Sequence, residues 1–161
     1  MGEKILIPLD GSEIGEAALP YVEELVSNLS PRAKVELTLI QVVSLLTHYV
    51  AAGELMAPIS YTDKEMEQIQ QQARDYLNTV GEGIGSKKVS VKISVRVGSP
   101  AEEIIKAADE IDVDLIAMST HGRHGISRWA FGSVTDKVLH GSHKPILVVR
   151  APKKAATNID A

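Results

Sequence analysis

The chain has no cysteine among its 161 residues, which excludes disulfide bonds, thiolate chemistry and cysteine-ligated metal sites. It also lacks any apolar run close to the roughly 18 residues that a membrane helix needs. The first residues, MGEKILIPLD, do not resemble a signal peptide, because their apolar stretch is short and runs directly into Asp10. We therefore expect a cytoplasmic protein that does not contact a membrane.

Acidic residues outnumber basic ones overall, but one region of the chain has the opposite balance. The net charge of −4 argues against a general nucleic-acid-binding protein. Between Leu115 and Arg150, however, five basic residues stand against a single acid. A basic island in an otherwise acidic chain indicates a small anionic partner, although any one of these residues is better explained as an ordinary surface charge.

Five short apolar segments have the composition of buried strands, and helical segments separate them. The predicted strands are residues 4–9, 35–43, 89–97, 115–118 and 146–149, and the predicted helices are residues 13–27, 63–80, 100–110 and 133–140. This alternation predicts a single doubly wound α/β domain over residues 1–150. Its five-stranded parallel sheet would have the order 3-2-1-4-5, with helices on both faces. Residues 44–62 read as a long irregular connection, and residues 151–161 as a disordered tail.

A ligand of such a sheet binds outside the carboxyl ends of the strands, where the strand order reverses. The first strand ends there at Asp10, and the fourth runs into a loop with Gly122 and, further on, Gly132. Glycines allow the backbone to approach a phosphate closely. The helix that starts near Ser133 offers unpaired N–H groups and a favourable dipole, and the hydroxyls of Ser133 and Thr135 can donate hydrogen bonds. The sequence therefore predicts a nucleotide phosphate site.

Ordinary structural roles compete with this interpretation. Ser133 has the features of a plain N-cap with Asp136 three positions later, and Asp10 those of a turn residue or a helix-entry acid. His121 and His124 share the glycine loop, but no carboxylate follows at metal-ligand spacing, so we predict no metal held by protein ligands. Neither a P-loop nor a nucleophile-elbow motif occurs, and we assign no catalytic residue.

Taken together, these segments resemble the universal stress protein family. Its nucleotide-binding members carry the motif G-x-x-G-x9-G-[ST] after the fourth strand. Here Ser119, Gly122 and the pair Gly132 and Ser133 follow that spacing, with Ser119 in place of the first glycine. The start ILIPLDGSE, the junction VGSPAEEII and the ending KPILVV also resemble the family, so the resemblance spans about residues 4–150.

The resemblance implies a site for ATP or another adenine nucleotide, with Mg²⁺ or Mn²⁺ carried by the phosphates. Asp10, with Pro8 and Leu9, would lie against the adenosine, and Val42 would meet the adenine through its backbone. The ribose and phosphate contacts implied are Met118, Ser119, Gly122, Arg123 and His124, and the contacts to the phosphates alone are Gly132, Ser133, Val134 and Thr135.

The resemblance further implies a homodimeric, ATP-binding regulatory module that acts in the response to stress or to energy state. The fifth strands, from Ile146 to Val149, would pair antiparallel across the two-fold axis, which would cover an apolar edge. Two alternatives remain. One is a slow ATPase or phosphotransferase, for which Asp10 and His124 are the candidate bases. The other is a nucleotide-free dimerisation module.

Overall fold

The computed structural model describes residues 2–44, 48–52, 55–59, 61–85, 88–120 and 131–152, with the backbone alone for 48–52 and 55–59. The strands are β1 (Gly2–Pro8), β2 (Lys34–Val43), β3 (His48–Ala52), β4 (Leu55–Ile59), β5 (Val89–Val97), β6 (Leu115–Thr120) and β7 (Ile146–Arg150). The helices are α1 (Leu19–Ser27), α2 (Asp63–Glu82), α3 (Pro100–Ile111) and α4 (Ser133–Gly141), and a 3-10 helix (Gly15–Ala18) precedes α1.

The central sheet has five parallel strands in the order β5-β2-β1-β6-β7. This is the predicted order 3-2-1-4-5, which is confirmed. β1 lies in the middle, and its residues Ile5, Leu6 and Ile7 are buried, as expected for a parallel strand that is covered on both faces. The chain crosses from one half of the sheet to the other between β5 and β6, so the strand order reverses next to β1.

Helices cover both faces of the sheet, as predicted. On one face α1 and α2 pack on the alternate strand residues that include Ile7 and Leu39, and Leu77 of α2 is fully buried there. On the other face Ile104 of α3 and Val138 of α4 pack on the remaining set. Each fully buried side chain of this size contributes about 1.5–3 kcal/mol through removal of apolar surface from water.

The first helix differs from the prediction of one continuous helix over residues 13–27. Its opening turn is the 3-10 helix, and α1 begins at Leu19. In an α-helix the carbonyl of Gly15 would accept from the N–H of Leu19. Here it accepts from the hydroxyl of Ser119 at 2.9 Å, and the N–H of Leu19 donates to Glu16 instead. A side chain from β6 thus diverts the hydrogen bond that would make this turn α-helical.

The prediction of an irregular connection over residues 44–62 was wrong in part. β3 and β4 form a separate two-stranded antiparallel sheet in this stretch. The apolar residues show no period of two, and a proline argues against a central strand. Pro58 nevertheless pairs with Tyr49, which a two-stranded sheet tolerates because both of its strands are edges.

Backbone pairing continues one residue past the predicted end of the domain at residue 150. Ala151 is buried, and its N–H donates to the carbonyl of Thr120 at 3.0 Å. Residues 153–161, most of the predicted tail, lie outside the described residues. No helix in the described part of the chain is both long and apolar enough to cross a membrane.

Candidate functional site

The carboxyl ends of β1 and β6 separate from one another. Their pairing ends at Leu6↔Ile116, whereas β1 stays paired with β2 as far as its last residue, Pro8. Continuing the β1–β6 register places Asp10 level with Thr120. We call this unpaired part of the sheet the crevice; it lies where the strand order reverses, between the two strand ends that sequence had singled out.

Pro8 accounts for the position of this crevice. Lys4 accepts a hydrogen bond from the N–H of Asp114, at the start of β6, whereas the N–H of Leu9 donates to β2. Because the direction of the backbone groups alternates along a strand, Lys4, Leu6 and Pro8 all face β6. Pro8 has no N–H to donate. Pro8 is the next residue of β1 after Leu6 that faces β6, so β1 has no N–H to donate to β6 at the point where the pairing of the two strands ends.

Asp10 forms a turn at one side of the crevice. Its Oδ1 accepts from the N–H of Ser12 at 2.9 Å and from the hydroxyl of Ser12 at 2.6 Å, and Gly11 has a φ of 84°, which favours glycine. Gly15 packs so closely on the carboxylate that a Cβ there would overlap Oδ1. The turn interpretation of Asp10 is confirmed, and the exposed carboxylate keeps Oδ2 without a hydrogen bond to the described part of the chain.

A phenol from α2 supports the same turn. The hydroxyl of Tyr76 donates to Oε1 of Glu16 at 2.8 Å. Burial raises the pKa of the Tyr76 phenol far above its usual range. The hydrogen bond to Glu16 and the negative charges of Glu16 and Asp10 raise this pKa further, and the backbone of Gly11 lowers it only in part. Tyr76 therefore lies beside the Asp10 turn and is held in its neutral form.

The opposite side of the crevice is the start of α4. Gly132 is the N-cap, with φ −58° and ψ 156°, and no side chain caps the helix. Ser133 is exposed as the first helical residue, so the alternative in which Ser133 is the N-cap is wrong. The N–H of Asp136 donates to the carbonyl of Gly132 at 2.9 Å. The first N–H groups of α4 are accordingly not occupied by a capping side chain, as an anion site requires.

The other predicted contact residues differ in what they expose. Leu9, Met118 and Thr135 are at most 5% exposed, so only their backbones could reach a ligand. Pro8 and Val42 are half-buried, at the ends of neighbouring strands. Val134 is also half-buried, against the core on the α3 and α4 face.

The basic island is divided between the two ends of the sheet. Lys144 forms an ion pair with Asp112, at the end opposite the crevice, and this contact raises the pKa of Lys144. Arg150 is paired with Thr120 in the β6–β7 register, so it lies at the same end as the crevice. Lys137 is exposed on α4. The described members of the island therefore do not form one continuous surface, and its other two basic residues, Arg123 and Arg128, lie outside the described residues.

Three predicted contact residues, Gly122, Arg123 and His124, lie outside the described residues. Sequence reasoning missed Gly15, Glu16, Tyr76 and Thr120, which contact or support the walls of the crevice. A glycine four residues after the D-G turn was a usable signal for Gly15, but no local pattern marks Tyr76, which comes from another helix. Within the described ranges, no group of three or more His, Asp or Glu side chains is placed to hold a metal ion.

The raised pKa of Tyr76 predicts a specific loss of stability at alkaline pH. A phenol whose pKa is higher in the folded state contributes stability that is complete below its unfolded pKa, about 10, and is lost as pH rises above it. We expect the urea midpoint to fall less between about pH 8 and about pH 11 in Tyr76→Phe than in the original chain. Tyr21→Phe, which removes a phenol that is 56% exposed, is the control and should behave like the original chain. Equal alkaline losses in all three proteins would contradict the assignment.

Comparison with known proteins agrees with the fold. A model of the universal stress protein family matches residues 1–150. The universal stress protein MJ0577 of Methanocaldococcus jannaschii is 31% identical over an alignment of 157 residues, and the match covers 93% of this chain and 96% of that protein. The solved structure of MJ0577 superposes with a TM-score of 0.68 at 27% identity, over 96% of this chain and 99% of that chain.

Two more distant structures share the fold. A universal stress protein solved in complex with cAMP has a TM-score of 0.55 at 19% identity, over 94% of this chain and 98% of that chain. A universal stress protein of Archaeoglobus fulgidus, solved in complex with dAMP, has a TM-score of 0.52 at 17% identity, over 92% of this chain and 97% of that chain. The family model and the identity to MJ0577 establish that this chain belongs to the universal stress protein family.

Proposed function

We propose that the chain is an adenine-nucleotide-binding regulatory module, with ATP as its ligand, and that it acts as a homodimer in a stress or energy-state response. The observation that carries this proposal is the crevice between β1 and β6. One of its sides ends in an exposed carboxylate, Asp10, and the other in the uncapped N-terminus of α4. The Asp10 carboxylate can accept hydrogen bonds from the hydroxyl or amino groups of a nucleoside, and the N–H groups at the start of α4 can donate hydrogen bonds to its phosphates.

The phosphate end has room for a ligand at Gly132. A Cβ built on this residue meets no described atom within 4 Å, and its φ of −58° is open to any residue. Within the described residues, close packing therefore does not require glycine at this position. A phosphate that approaches the backbone closely would be a reason for glycine here, and the dipole of α4 would favour phosphate binding by about 0.3–1 kcal/mol. The exposed hydroxyl of Ser133 is a further donor, and Val134 and Thr135 would contribute through their N–H groups.

The adenosine end is assigned to the strand ends of β1 and β2. Pro8 and Val42 are half-buried there and can cover a base, whereas Leu9 offers only its backbone. The complexes of distant family members with cAMP and dAMP support an adenine nucleotide as the ligand class. ATP with Mg²⁺ or Mn²⁺ is the finer assignment, in which the phosphates carry the cation. Met118 and Ser119, together with Gly122, Arg123 and His124 from the loop, complete the proposed set.

The outer edge of β7 fits the proposed dimer. Pro145 accepts a hydrogen bond from β6 at 2.9 Å, and Ala151 donates one to it at 3.0 Å. Because backbone direction alternates, Leu147 and Val149 also face β6, and the N–H of Val148 faces away from it. Among the described strands none pairs with this outer edge. An antiparallel copy of β7 would satisfy its donors and acceptors and remove an aggregation-prone edge.

Gly132→Val tests the phosphate site. We expect the original chain to bind ATP with magnesium in a calorimetric titration, with a Kd below about 1 mM, or −4 kcal/mol. The valine side chain would enter the space assigned to the phosphates and abolish this binding, while the thermal unfolding midpoint stays close to that of the original chain. Measuring phosphate release in the same samples separates binding from slow hydrolysis.

The matched control for this substitution is Gly85→Val. A Cβ added at Gly85 likewise meets no described atom within 4 Å, and this glycine is exposed beyond α2. The two valines thus differ chiefly in their distance from the crevice. If Gly132→Val binds ATP as tightly as Gly85→Val, Gly132 and the start of α4 are not part of the ATP site.

Val148→Pro tests the dimer strand. The substitution removes an N–H that faces away from β6, which an edge strand tolerates. Across a two-fold axis it removes two symmetry-related hydrogen bonds of about 1 kcal/mol each, so the dimer dissociation constant from sedimentation equilibrium should rise roughly tenfold or more. Val148→Thr keeps the N–H and should dimerise normally. An unchanged dissociation constant in a folded Val148→Pro protein would place the interface elsewhere.

A further inference from the structure

The last two residues of β6 use their hydroxyls on opposite faces of the sheet. Ser119 Oγ accepts from the N–H of Ala18 at 2.8 Å and donates to the carbonyl of Gly15 at 2.9 Å. Thr120 is only 3% exposed, and its Oγ1 accepts from the N–H of Gly132 at 3.4 Å. Consecutive strand residues point to opposite faces, so one strand end bonds both sides of the crevice.

The Ser119 contacts reach Asp10 through a short path. Gly15 lies directly against the Asp10 carboxylate, and the N–H of Gly15 donates to the hydroxyl of Ser12 at 3.1 Å. That same hydroxyl donates to Oδ1 of Asp10. Ser119 therefore fixes the segment on which the Asp10 turn rests, although it makes no hydrogen bond to Asp10 itself.

The Thr120 contact acts on the other side. Gly132 is the N-cap of α4, and its backbone direction sets where the first N–H groups of the helix point. The carbonyl of Thr120 accepts a hydrogen bond from the N–H of Ala151, the residue directly after β7. The threonine therefore connects the start of α4 to a residue that the sheet itself fixes.

These side-chain bonds replace backbone pairing that is absent at this level of the sheet. The ladder between β1 and β6 ends at Leu6↔Ile116, so backbone hydrogen bonds do not set the separation of Asp10 from the start of α4. The hydroxyls of Ser119 and Thr120 instead contact the segments on the two sides, one hydroxyl for each side.

We infer that Ser119 and Thr120 are a pair of positioning residues, in which Ser119 places the Asp10 side of the crevice and Thr120 places the phosphate side. The effect on binding rests on the proposed nucleotide function, whereas the positioning of the two sides does not depend on it. It predicts that the two hydroxyls affect different parts of the ligand. Ser119 governs contacts with the adenosine, and Thr120 governs contacts with the phosphates alone.

Amide hydrogen exchange tests the geometry without any ligand. In Ser119→Ala the N–H of Ala18 loses its acceptor and should exchange faster, while Gly132 is unchanged. In Thr120→Val the N–H of Gly132 should exchange faster, while Ala18 is unchanged. Ser119→Thr and Thr120→Ser, which keep the hydroxyls, should restore slow exchange. If neither amide responds to loss of its own hydroxyl, the positioning pair is rejected, whether or not the protein binds nucleotide.

Titration with adenosine and with ATP plus magnesium tests the consequence. Ser119→Ala should weaken both ligands by the same factor, about three- to tenfold for one lost hydrogen-bonding group. Thr120→Val should weaken ATP by a similar factor and leave adenosine unchanged. The control is Thr38→Val, which removes another buried strand hydroxyl, on β2, and should leave both affinities unchanged.

The outcomes separate the two proposals. If the original chain binds neither ligand, the nucleotide function fails, and the exchange data still decide the geometry. If the original chain binds but both site variants weaken adenosine and ATP equally, or Thr38→Val does the same, the effect is general loosening and the division of roles is wrong.

Discussion

The hydrogen-bond ladder between β1 and β6 is the constraint on which the candidate site depends. It holds the two halves of the sheet together near their amino ends and stops where Pro8 offers no N–H. A complete ladder would close the sheet at this level and leave no space between Asp10 and α4. The same strand keeps its pairing with β2 to the end, so the opening is confined to one side of β1. The crevice is thus a place where backbone hydrogen bonds between two neighbouring strands are absent, in a sheet whose other strands remain paired.

Both sides of this opening are supported from other elements. Tyr76 from α2 and Ser119 from β6 contact the 3-10 helix that packs against the Asp10 turn, and Thr120 contacts the cap of α4. Glycine is required by close packing at Gly15, whereas a Cβ at Gly132 would meet no atom of the described residues within 4 Å. The first glycine serves the fold, and the second is the one that the proposed function assigns to a phosphate.

Much of the fold follows from the sequence because it depends on local patterns. Short apolar runs separated by amphipathic segments predicted the doubly wound parallel sheet, and Gly132 and Ser133 predicted the start of α4. The 3-10 turn before α1 could not be predicted, since its cause is Ser119, about a hundred residues away. The β3–β4 pair also escaped prediction, because its residues lack a period of two and include Pro58.

For the site, sequence located the Asp10 and α4 sides through turn and helix-start chemistry, and topology brought them together. The supporting residues Tyr76 and Thr120 were not found, because nothing in their neighbourhoods along the chain distinguishes them from ordinary buried or helical residues. The family relationship accounts for the fold over residues 1–150, and the proposed ligand contacts combine the family resemblance with the geometry of the described residues.

The central claim is that one nucleotide spans the opening between β1 and β6. A crystal structure of the chain with Mg²⁺ and a non-hydrolysable ATP analogue tests this most directly. We predict that the adenosine lies beside Asp10 and Val42, with the phosphates within hydrogen-bond distance of the N–H groups that begin α4. A nucleotide bound at any other surface, or a crevice that stays without nucleotide at saturating concentration, would contradict it.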